Sequence, residues 1–253
     1  MNPCIQTLLA HKSIRKYKEI PIDPKLLTAI LTAASRASTT GNMQLYSIMV
    51  TQDAQRKQDL AKFHFNQPMI TQAPVVLTFM ADVNRFHHWC KINEAEKSYD
   101  NFLWFINGVI DALLAAQNAC IAAESEGLGI CYLGTTTYNA KGIAQFFKVP
   151  KGVVPITTMT MGIPDEKLPL TDRIPLEGVV HYETYHPYTD QDIQTIFSEK
   201  ENLEETQALL AQNKLPNLAQ IFTKNRYTKA DAVHFSTQFL QFLKEAEFMN
   251  DRP

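Results

Sequence analysis

The chain has 253 residues, of which 45% are hydrophobic and 20% are charged, and its formal net charge at pH 7 is −2. A chain of this length buries a substantial core in one large domain. This balance excludes a disordered chain, a collagen-like chain and a broadly basic protein that binds nucleic acid.

Cysteine spacing and the N-terminal sequence bear on the cellular compartment in which the protein is expected. The four cysteines show no C-x-x-C spacing: Cys4, Cys90, Cys120 and Cys131. Reduced thiols in the cytoplasm fit this pattern, and the first residues lack the basic and apolar runs of a secretory signal. The longest apolar stretch, 109–123, is interrupted by Asp111, which predicts a buried helix of a soluble protein and no membrane span.

The first third of the chain predicts helices and strands in alternation. Asn2 and Pro3 are suited to begin a short helix, and Asp23 with Pro24 begins a clearer one. The segment 75–80 is continuously apolar, which indicates a strand buried on both faces. The other predicted elements are a strand over 46–51 and helices over 54–63 and 82–93.

The longest predicted helix covers about 102–126 and ends before Gly127. Its alanines permit the close approach of another helix, as at a domain centre or a dimer interface. They are Ala112, Ala115, Ala116, Ala119, Ala122 and Ala123. A strand over 130–137, a helix over 140–147 and a strand over 153–162 are predicted to follow.

The C-terminal part changes character. Prolines between Pro164 and Pro187 predict an extended arm. Thr189 with Asp192 resembles a capping box that begins a helix, as does Thr228 with Asp231. Interleaved helices and buried strands, followed by helices alone, predict an α+β fold with a mixed sheet.

A basic segment, His11-Lys12-Ser13-Ile14-Arg15, follows the first helix. Lysine, serine and arginine together suit a phosphate, because the cations offset its charge while the hydroxyl and guanidinium donate to its oxygens. A solvated basic turn is the alternative, and the local chemistry alone favours it.

Three further segments carry weak signals. The polar loop 38–44 and the pair Asn66-Gln67 are compatible with ordinary connections before strands. The glycines of 127–134 follow a helix and precede a strand, whereas a dinucleotide fingerprint needs the reverse order. Gly134 either brings a backbone N–H close to a ligand or serves only a turn.

The remaining candidates for chemistry are weaker. His87 and His88 are adjacent, so on a helix their side chains diverge, and no second ligand cluster completes a metal site. No hydrolase motif occurs, and no metal is expected. Lys224, Arg226 and Lys229 form a basic cluster that fits either the 2′-phosphate of a nicotinamide cofactor or a solvated face.

The order of these segments resembles the nitroreductase family over about residues 1–190. The segments that carry the resemblance are HKSIRKY, TTGNMQ, NQ, the alanine-rich helix, GLGICYLG, MGIPD and DR. It is closest to the branch of NADPH-dependent nitroreductases and flavin reductases that have an added C-terminal helical excursion. The resemblance implies a mostly antiparallel mixed sheet flanked by helices, with the long central helix at a dimer interface.

The resemblance also implies a set of FMN-binding residues. His11, Lys12, Ser13 and Arg15 match the segment for phosphate and ribityl chain, and Arg173 matches a second phosphate arginine. Asn66 and Gln67 match the pair that faces the pyrimidine edge of the flavin. The loop lent by the partner subunit is matched by Thr39, Thr40, Asn42 and Gln44. The strand end over the ring is matched by Tyr132, Leu133 and Gly134.

Two positions depart from the family pattern. Thr171 stands where many members of this branch have a lysine or arginine, so one cation near the phosphate or the ring is missing, with Lys167 as a candidate substitute. Thr135 stands where close relatives often have a second glycine, which narrows the space beside the flavin. The region after about residue 195 matches only loosely.

The function implied is a homodimeric, FMN-dependent NAD(P)H oxidoreductase that reduces nitroaromatics, quinones or flavins, with the chemistry on FMN N5 and no catalytic side chain. NADPH is expected as the donor, with NADH as the alternative. The implied division is an FMN-binding core, 1–190, and a helical excursion, 191–253. Two rivals are a flavin carrier, sensor or flavin-fragmenting enzyme of the same fold, and a helical interaction module.

Overall fold

The computed structural model describes residues 1–97 and 100–250, so the last three residues of the predicted excursion lie outside it. Its strands are β1 (Tyr46–Thr51), β2 (Val75–Asp82), β3 (Gly129–Leu133) and β4 (Val153–Gly162). The helices are α1 (Pro3–Leu9), α2 (Pro24–Ser35), α3 (Ala54–Ala61), α4 (Pro68–Gln72), α5 (Asn84–Ile92), α6 (Phe102–Ser125), α7 (Ala140–Phe147), α8 (Asp190–Asn202), α9 (Glu204–Asn213), α10 (Leu218–Ile221) and α11 (Lys229–Glu245).

The four strands form one antiparallel sheet in the order β1-β2-β4-β3. All eight residues of β2 are buried, which confirms the prediction of a strand covered on both faces. The register of β2 against β4 shifts between Phe79 and Met80, opposite Pro155, where the missing proline N–H makes a bulge inexpensive. The α+β class is thereby confirmed.

Helix α6 packs its small residues against the sheet. Gly108 permits this, since an added Cβ would lie 3.0 Å from the side chain of Ala81 and 3.2 Å from the carbonyl oxygen of Leu45. By length and composition alone α6 could cross a membrane, but its alanine face is buried in the core and its Asp111 is fully enclosed. The opposite face exposes apolar side chains: Phe102, Leu103, Ile110, Leu113 and Leu114.

The helix ends follow local sequence rules. The Asn2 and Asp23 side chains accept hydrogen bonds from backbone N–H groups of the first turns of α1 and α2, as predicted. Thr189 and Asp192 form the predicted capping box of α8. The strand predicted over 130–137 is shorter, because Thr136 donates its hydroxyl to the carbonyl of Leu133, 2.9 Å away, and turns the chain.

Two compact units divide the chain. The first unit comprises 1–169 and the residues from 235 onward, and it contains the sheet, α1 to α7 and most of α11. The second unit comprises 170–234, in which α8, α9 and α10 follow the arm. The functional division predicted at residue 190 is a separate matter and stays a prediction.

Candidate functional site

The basic segment extends the sheet at the free edge of β3. Ser13 forms a parallel bridge with Ile130, and the backbone N–H of Ile14 donates to the carbonyl of Ile130 across 2.8 Å. Gly129 makes this approach possible, since a Cβ there would lie 2.7 Å from the side chain of Ile14. Residues 11–15 therefore lie beside the strand that ends at Gly134.

The beginning of the proline-rich arm holds the same segment from the other side. The Glu166 carboxylate accepts hydrogen bonds from the backbone N–H groups of Arg15 and Lys16, at 2.6 and 3.1 Å. Lys12 donates through Nζ to the carbonyl of Leu168, 2.7 Å away. A surface cleft of about 610 Å³ opens here, lined by α1, Lys12, the 127–129 turn and the arm. The backbone of the segment is fixed while its cations remain at the surface.

The Arg15 side chain is available to a ligand. It is exposed, and within residues 1–97 and 100–250 its guanidinium makes no hydrogen bond. Its positive charge acts on strand β3: burial raises the pKa of Cys131, and Arg15 opposes that rise. A free guanidinium, a lysine amine and the Ser13 hydroxyl on one sheet edge fit a phosphate monoester.

His11 is engaged by the chain itself. Its Nδ1 lies 2.7 Å from Glu124 Oε1, and the Cys120 thiol donates to Glu124 Oε2 across 3.7 Å. Burial, followed by the Glu124 carboxylate, raises the pKa of Cys120 to about 12, so the thiol is protonated. These three ligand atoms lie within 4.8 Å of one another, a grouping absent from the sequence-based expectations. The FMN contact predicted for His11 stays a prediction.

A second predicted segment, Asn66-Gln67, is joined to the end of β3. His64 is fully buried, and its Nδ1 lies 2.7 Å from the Thr135 hydroxyl. Asn139 adds a second link by donating through Nδ2 to the carbonyl of Phe63, 2.7 Å away. The structure therefore brings the pair at 66–67 close to the strand end at 132–134.

The backbone of this loop is strained. Phe65 and Asn66 both have a φ of +54°, in the left-handed region that side chains other than glycine rarely adopt. Such conformations cost about 1–3 kcal/mol each and persist where surrounding contacts enforce them. Phe65 meets Phe235, whose ring stacks on that of Tyr138 with centroids 4.4 Å apart. Contacts on both sides hold the loop.

The end of β3 offers open space. Tyr132 is half-buried, Leu133 is buried, and Gly134 is exposed. An added Cβ at Gly134 would meet no described atom within 4 Å. A flat ring can therefore approach the backbone closely at this glycine.

The loop at 39–44, the third predicted segment, is held by a buried carboxylate. Asp111 of α6 accepts from the backbone N–H of Thr40 and from that of Leu45, both at 2.9 Å. Gly41, Asn42 and Gln44 have φ values of +55° to +56°, so this loop is also left-handed. The Asp111 carboxylate fixes both ends of the strained stretch.

This loop is remote from the other two segments within one chain. It leads into β1, whereas residues 11–15 and 132–134 lie at β3, the opposite edge of the four-stranded sheet. Strands about 4.8 Å apart place these edges about 14 Å from each other. Thr39, Thr40, Asn42 and Gln44 are thus not brought together with the other predicted residues in the single chain.

Two predicted basic groups lie in the second unit. Arg173 is exposed and donates to the carbonyl of Asp172 across 2.8 Å, and its phosphate contact stays a prediction. Arg226 lies over the ring of Phe222 and lines a cleft of about 340 Å³ with Lys200. Lys200 pairs at 2.7 Å with Asp172 in this cleft.

Several residues that shape the site were not found from sequence. Asp111 was noted only as an interruption of an apolar run, yet it anchors a loop. Glu166, Glu124 and His64 stand in no recognisable motif, and their partners are separated from them by 71 to 151 positions. The one available signal was the charge of Asp111 inside an apolar helix, since a buried carboxylate needs hydrogen-bond donors.

Comparison with known proteins agrees with this architecture. The Nitroreductase family model matches residues 8–67 and 52–163. An FMN reductase (NADPH) from Bacillus subtilis is 33% identical over 192 residues, which cover 75% of this chain and 77% of that protein. An oxygen-insensitive NADPH nitroreductase from Salmonella typhimurium is 32% identical, over 76% of this chain and 78% of that protein.

A solved structure extends the likeness to nearly the whole chain. A protein from Bacteroides fragilis NCTC 9343 superposes with a TM-score of 0.95 and 46% identity, over 97% of this chain and 100% of that one. The sheet, the edge segment at Ser13 and the family match over most of 8–163 agree with one another. The chain therefore belongs to the nitroreductase family.

Proposed function

We propose that the protein is an FMN-dependent NAD(P)H oxidoreductase, with NADPH as the preferred donor. The observation that carries the proposal is the bridge between Ser13 and Ile130, which sets a free guanidinium and a hydroxyl beside β3, the strand that leads to the open position at Gly134. The relatives named FMN reductase and NADPH nitroreductase support the same cofactor and donor.

FMN would supply the redox chemistry when bound, as a hydride carrier between NADPH and an electron acceptor. The side chains and backbone of the protein bind the flavin and orient it. Lys12, Ser13 and Arg15 hold the phosphate and ribityl chain, with Arg173 as the further proposed contact. Asn66 and Gln67 would hold the pyrimidine edge, and Tyr132, Leu133 and Gly134 would hold the ring. His11 keeps its proposed place beside the ribityl chain while Glu124 orients its imidazole.

The flavin would carry the redox chemistry, which is why no acid–base pair or nucleophile is needed from the chain. A donor and an acceptor both approach the exposed strand end, where Gly134 presents no side chain. The proposed acceptors are nitroaromatics, quinones and free flavins.

We further propose a homodimer located in the cytoplasm. Both α6 and α1 expose apolar side chains, and the two helices are in contact. A second copy seated on this face covers Leu113 and Leu114. It also delivers Thr39, Thr40, Asn42 and Gln44 to a site that lies at the opposite edge of the sheet from these residues in their own chain.

The absorption spectrum of the purified protein tests cofactor binding. FMN gives a yellow protein, whereas a helical interaction module is colourless. Anaerobic stopped-flow mixing with NADPH then tests the reaction: bleaching of the flavin is expected for a reductase. A flavin that stays oxidised contradicts the reductase and points to a carrier, a sensor or a flavin-fragmenting enzyme.

Arg15→Ala tests the phosphate anchor. Losing charge-assisted hydrogen bonds to phosphate weakens FMN binding about tenfold to a hundredfold, measured by fluorescence titration. Lys16→Ala is the matched control, because its side chain is also exposed and its backbone N–H keeps the Glu166 contact. Full flavin occupancy in Arg15→Ala, with a folded chain, would remove the assignment.

A further inference from the structure

His64 and Thr135 meet where two segments of the proposed flavin site come together. Their side chains lie 2.7 Å apart, from Nδ1 to Oγ1, although the residues are 71 positions apart in sequence. His64 is two residues before Asn66, and Thr135 directly follows Gly134. Nothing in the proposed mechanism uses either side chain.

The chemistry of this contact is that of a neutral hydrogen bond. Burial lowers the pKa of His64 to about 4, so the imidazole is uncharged at neutral pH. The other ring nitrogen, Nε2, is buried and has no hydrogen-bond partner among the described residues. Thr135 is therefore the one polar anchor that the described chain gives this ring, and a buried ring with one anchor depends on it strongly.

The backbone next to His64 needs such an anchor. Phe65 and Asn66 are held in the left-handed region, and a strained stretch relaxes when its restraints are removed. On the solvent side, the ring of Phe235 lies between those of Phe65 and Tyr138. The pair of His64 and Thr135 is the buried restraint on the opposite side of the same loop.

We infer that His64 and Thr135 form a positioning pair that fixes the separation between Gln67 and Gly134, and thereby sets FMN affinity, reduction potential and the space left for the acceptor. The inference rests on the proposed function, since it concerns the same flavin. It also gives a role to the threonine at 135: the hydroxyl fixes the loop, while its side chain borders the acceptor space.

The test compares variants that keep or remove the hydrogen bond. Thr135→Val preserves shape without the hydroxyl, and Thr135→Ser restores the hydroxyl. His64→Leu removes the ring nitrogen, and His64→Asn places an amide near the position of Nδ1. Each variant is titrated with FMN, its reduction potential is measured, and kcat and KM are determined with 1,4-benzoquinone as acceptor.

Loss of the bond is expected to weaken FMN binding about threefold to tenfold, the range that one neutral hydrogen bond supports. Thr135→Ser and His64→Asn should stay within about twofold of the wild type, and the double variant His64→Leu/Thr135→Val should be no worse than the poorer single variant. KM for the quinone should change more than kcat. Thr71→Val is the control, because within the part of the chain that the structure describes the Thr71 hydroxyl bonds only inside its own helix, to the carbonyl of Pro68.

The outcomes separate the two proposals. A wild-type protein that binds no FMN overturns the proposed function and the role of the pair with it. A wild type that binds FMN while Thr135→Val keeps the same affinity, potential and KM overturns the pair alone. If Thr135→Val does not fold, Thr135→Ala is compared with Thr135→Ser in the same assays. Equal FMN affinity, potential and KM in these two variants would again count against the inference.

Discussion

Two strained loops of this protein are held by different chemistry. The loop before β1 is fixed by a charged group, the buried Asp111 carboxylate, which accepts two backbone N–H groups. The loop before α4 is fixed by a neutral group, the buried His64 imidazole, which bonds to the Thr135 hydroxyl and whose second nitrogen has no partner in the described ranges 1–97 and 100–250. Both loops contain left-handed residues other than glycine.

The difference follows from what each loop offers its anchor. Thr40 and Leu45 present free N–H groups, which a carboxylate satisfies fully and strongly. The other loop contains its own anchor, the neutral His64 ring, which makes one hydrogen bond, to the Thr135 hydroxyl. The charged anchor is therefore expected to contribute more to the free energy of unfolding than the neutral one.

Removing the charged anchor should have the largest effect. Asp111→Ala leaves two N–H groups without their acceptor, so the free energy of unfolding should fall by about 4 kcal/mol. Urea denaturation at matched protein concentration measures it. Asp111→Asn keeps one acceptor oxygen and should lose about half as much. Glu126→Ala, an exposed carboxylate just past the same helix, is the control, and an equal loss there would refute the contrast.

Acid should lower the free energy of unfolding through His64. The pKa of His64 is about 4 in the folded chain and 6.5 in the unfolded one, so between these values only the unfolded chain takes up the proton. The contribution of His64 to the free energy of unfolding is fully present above pH 6.5 and falls as the pH drops towards 4. At about 1.36 kcal/mol per pH unit, the total loss is about 3 kcal/mol.

Urea denaturation across pH 4 to 7 measures this effect. His64→Asn keeps a hydrogen-bonding amide but cannot titrate, so its stability should depend less steeply on pH in that window. Parallel profiles for the wild type and His64→Asn would show that His64 is not the titrating group.

Arg85 tests whether the loop before β1 needs a second anchor besides the Asp111 carboxylate. Its guanidinium donates to the carbonyls of Gln44 and Tyr46, the latter at 3.1 Å. The side chain is exposed, so Arg85→Ala should lower the free energy of unfolding by only about 1 kcal/mol. Arg36→Ala, an exposed arginine outside the loop, serves as the reference. A loss as large as that of Asp111→Ala would transfer the anchoring role to Arg85.

The smallest expected effect is a gain. Gln44 has a φ of +55°, which glycine adopts at no cost, and among the described residues its side chain bonds to the carbonyl of Asn42 alone, 3.3 Å away. Gln44→Gly should raise the free energy of unfolding by about 0.5 kcal/mol, because relieved strain exceeds the added freedom of the unfolded chain. Gln55→Gly, inside α3, should lower it by about 1 kcal/mol. Equal signs for the two variants would show that the loop is unstrained.

Sequence reasoning succeeded where the cause is local. The cap at Asp23, the strands Tyr46–Thr51 and Val153–Gly162, and the helix beginning at Phe102 follow from neighbouring residues, and the structure has them as predicted. The end of the strand at Leu133 was missed, because a hydroxyl three residues further on turns the chain.

The anchors could not be predicted for a different reason. Asp111, His64 and Glu166 owe their roles to partners brought near by the sheet order and by helix packing, which no local pattern encodes. The family resemblance gave the segments that line the site, and it gave Thr135 only as a departure. Its contact with His64 required three-dimensional coordinates.

The bridge between Ser13 and Ile130 has a consequence for solubility. An uncovered edge strand offers a row of backbone groups on which another chain can assemble, and Ser13 and Ile14 cover part of this row at Ile130 of β3. The residues proposed to hold the phosphate are thus also a guard against aggregation. Shortening the chain to begin after Tyr17 should remove the flavin and expose a template for polymerisation in the same step.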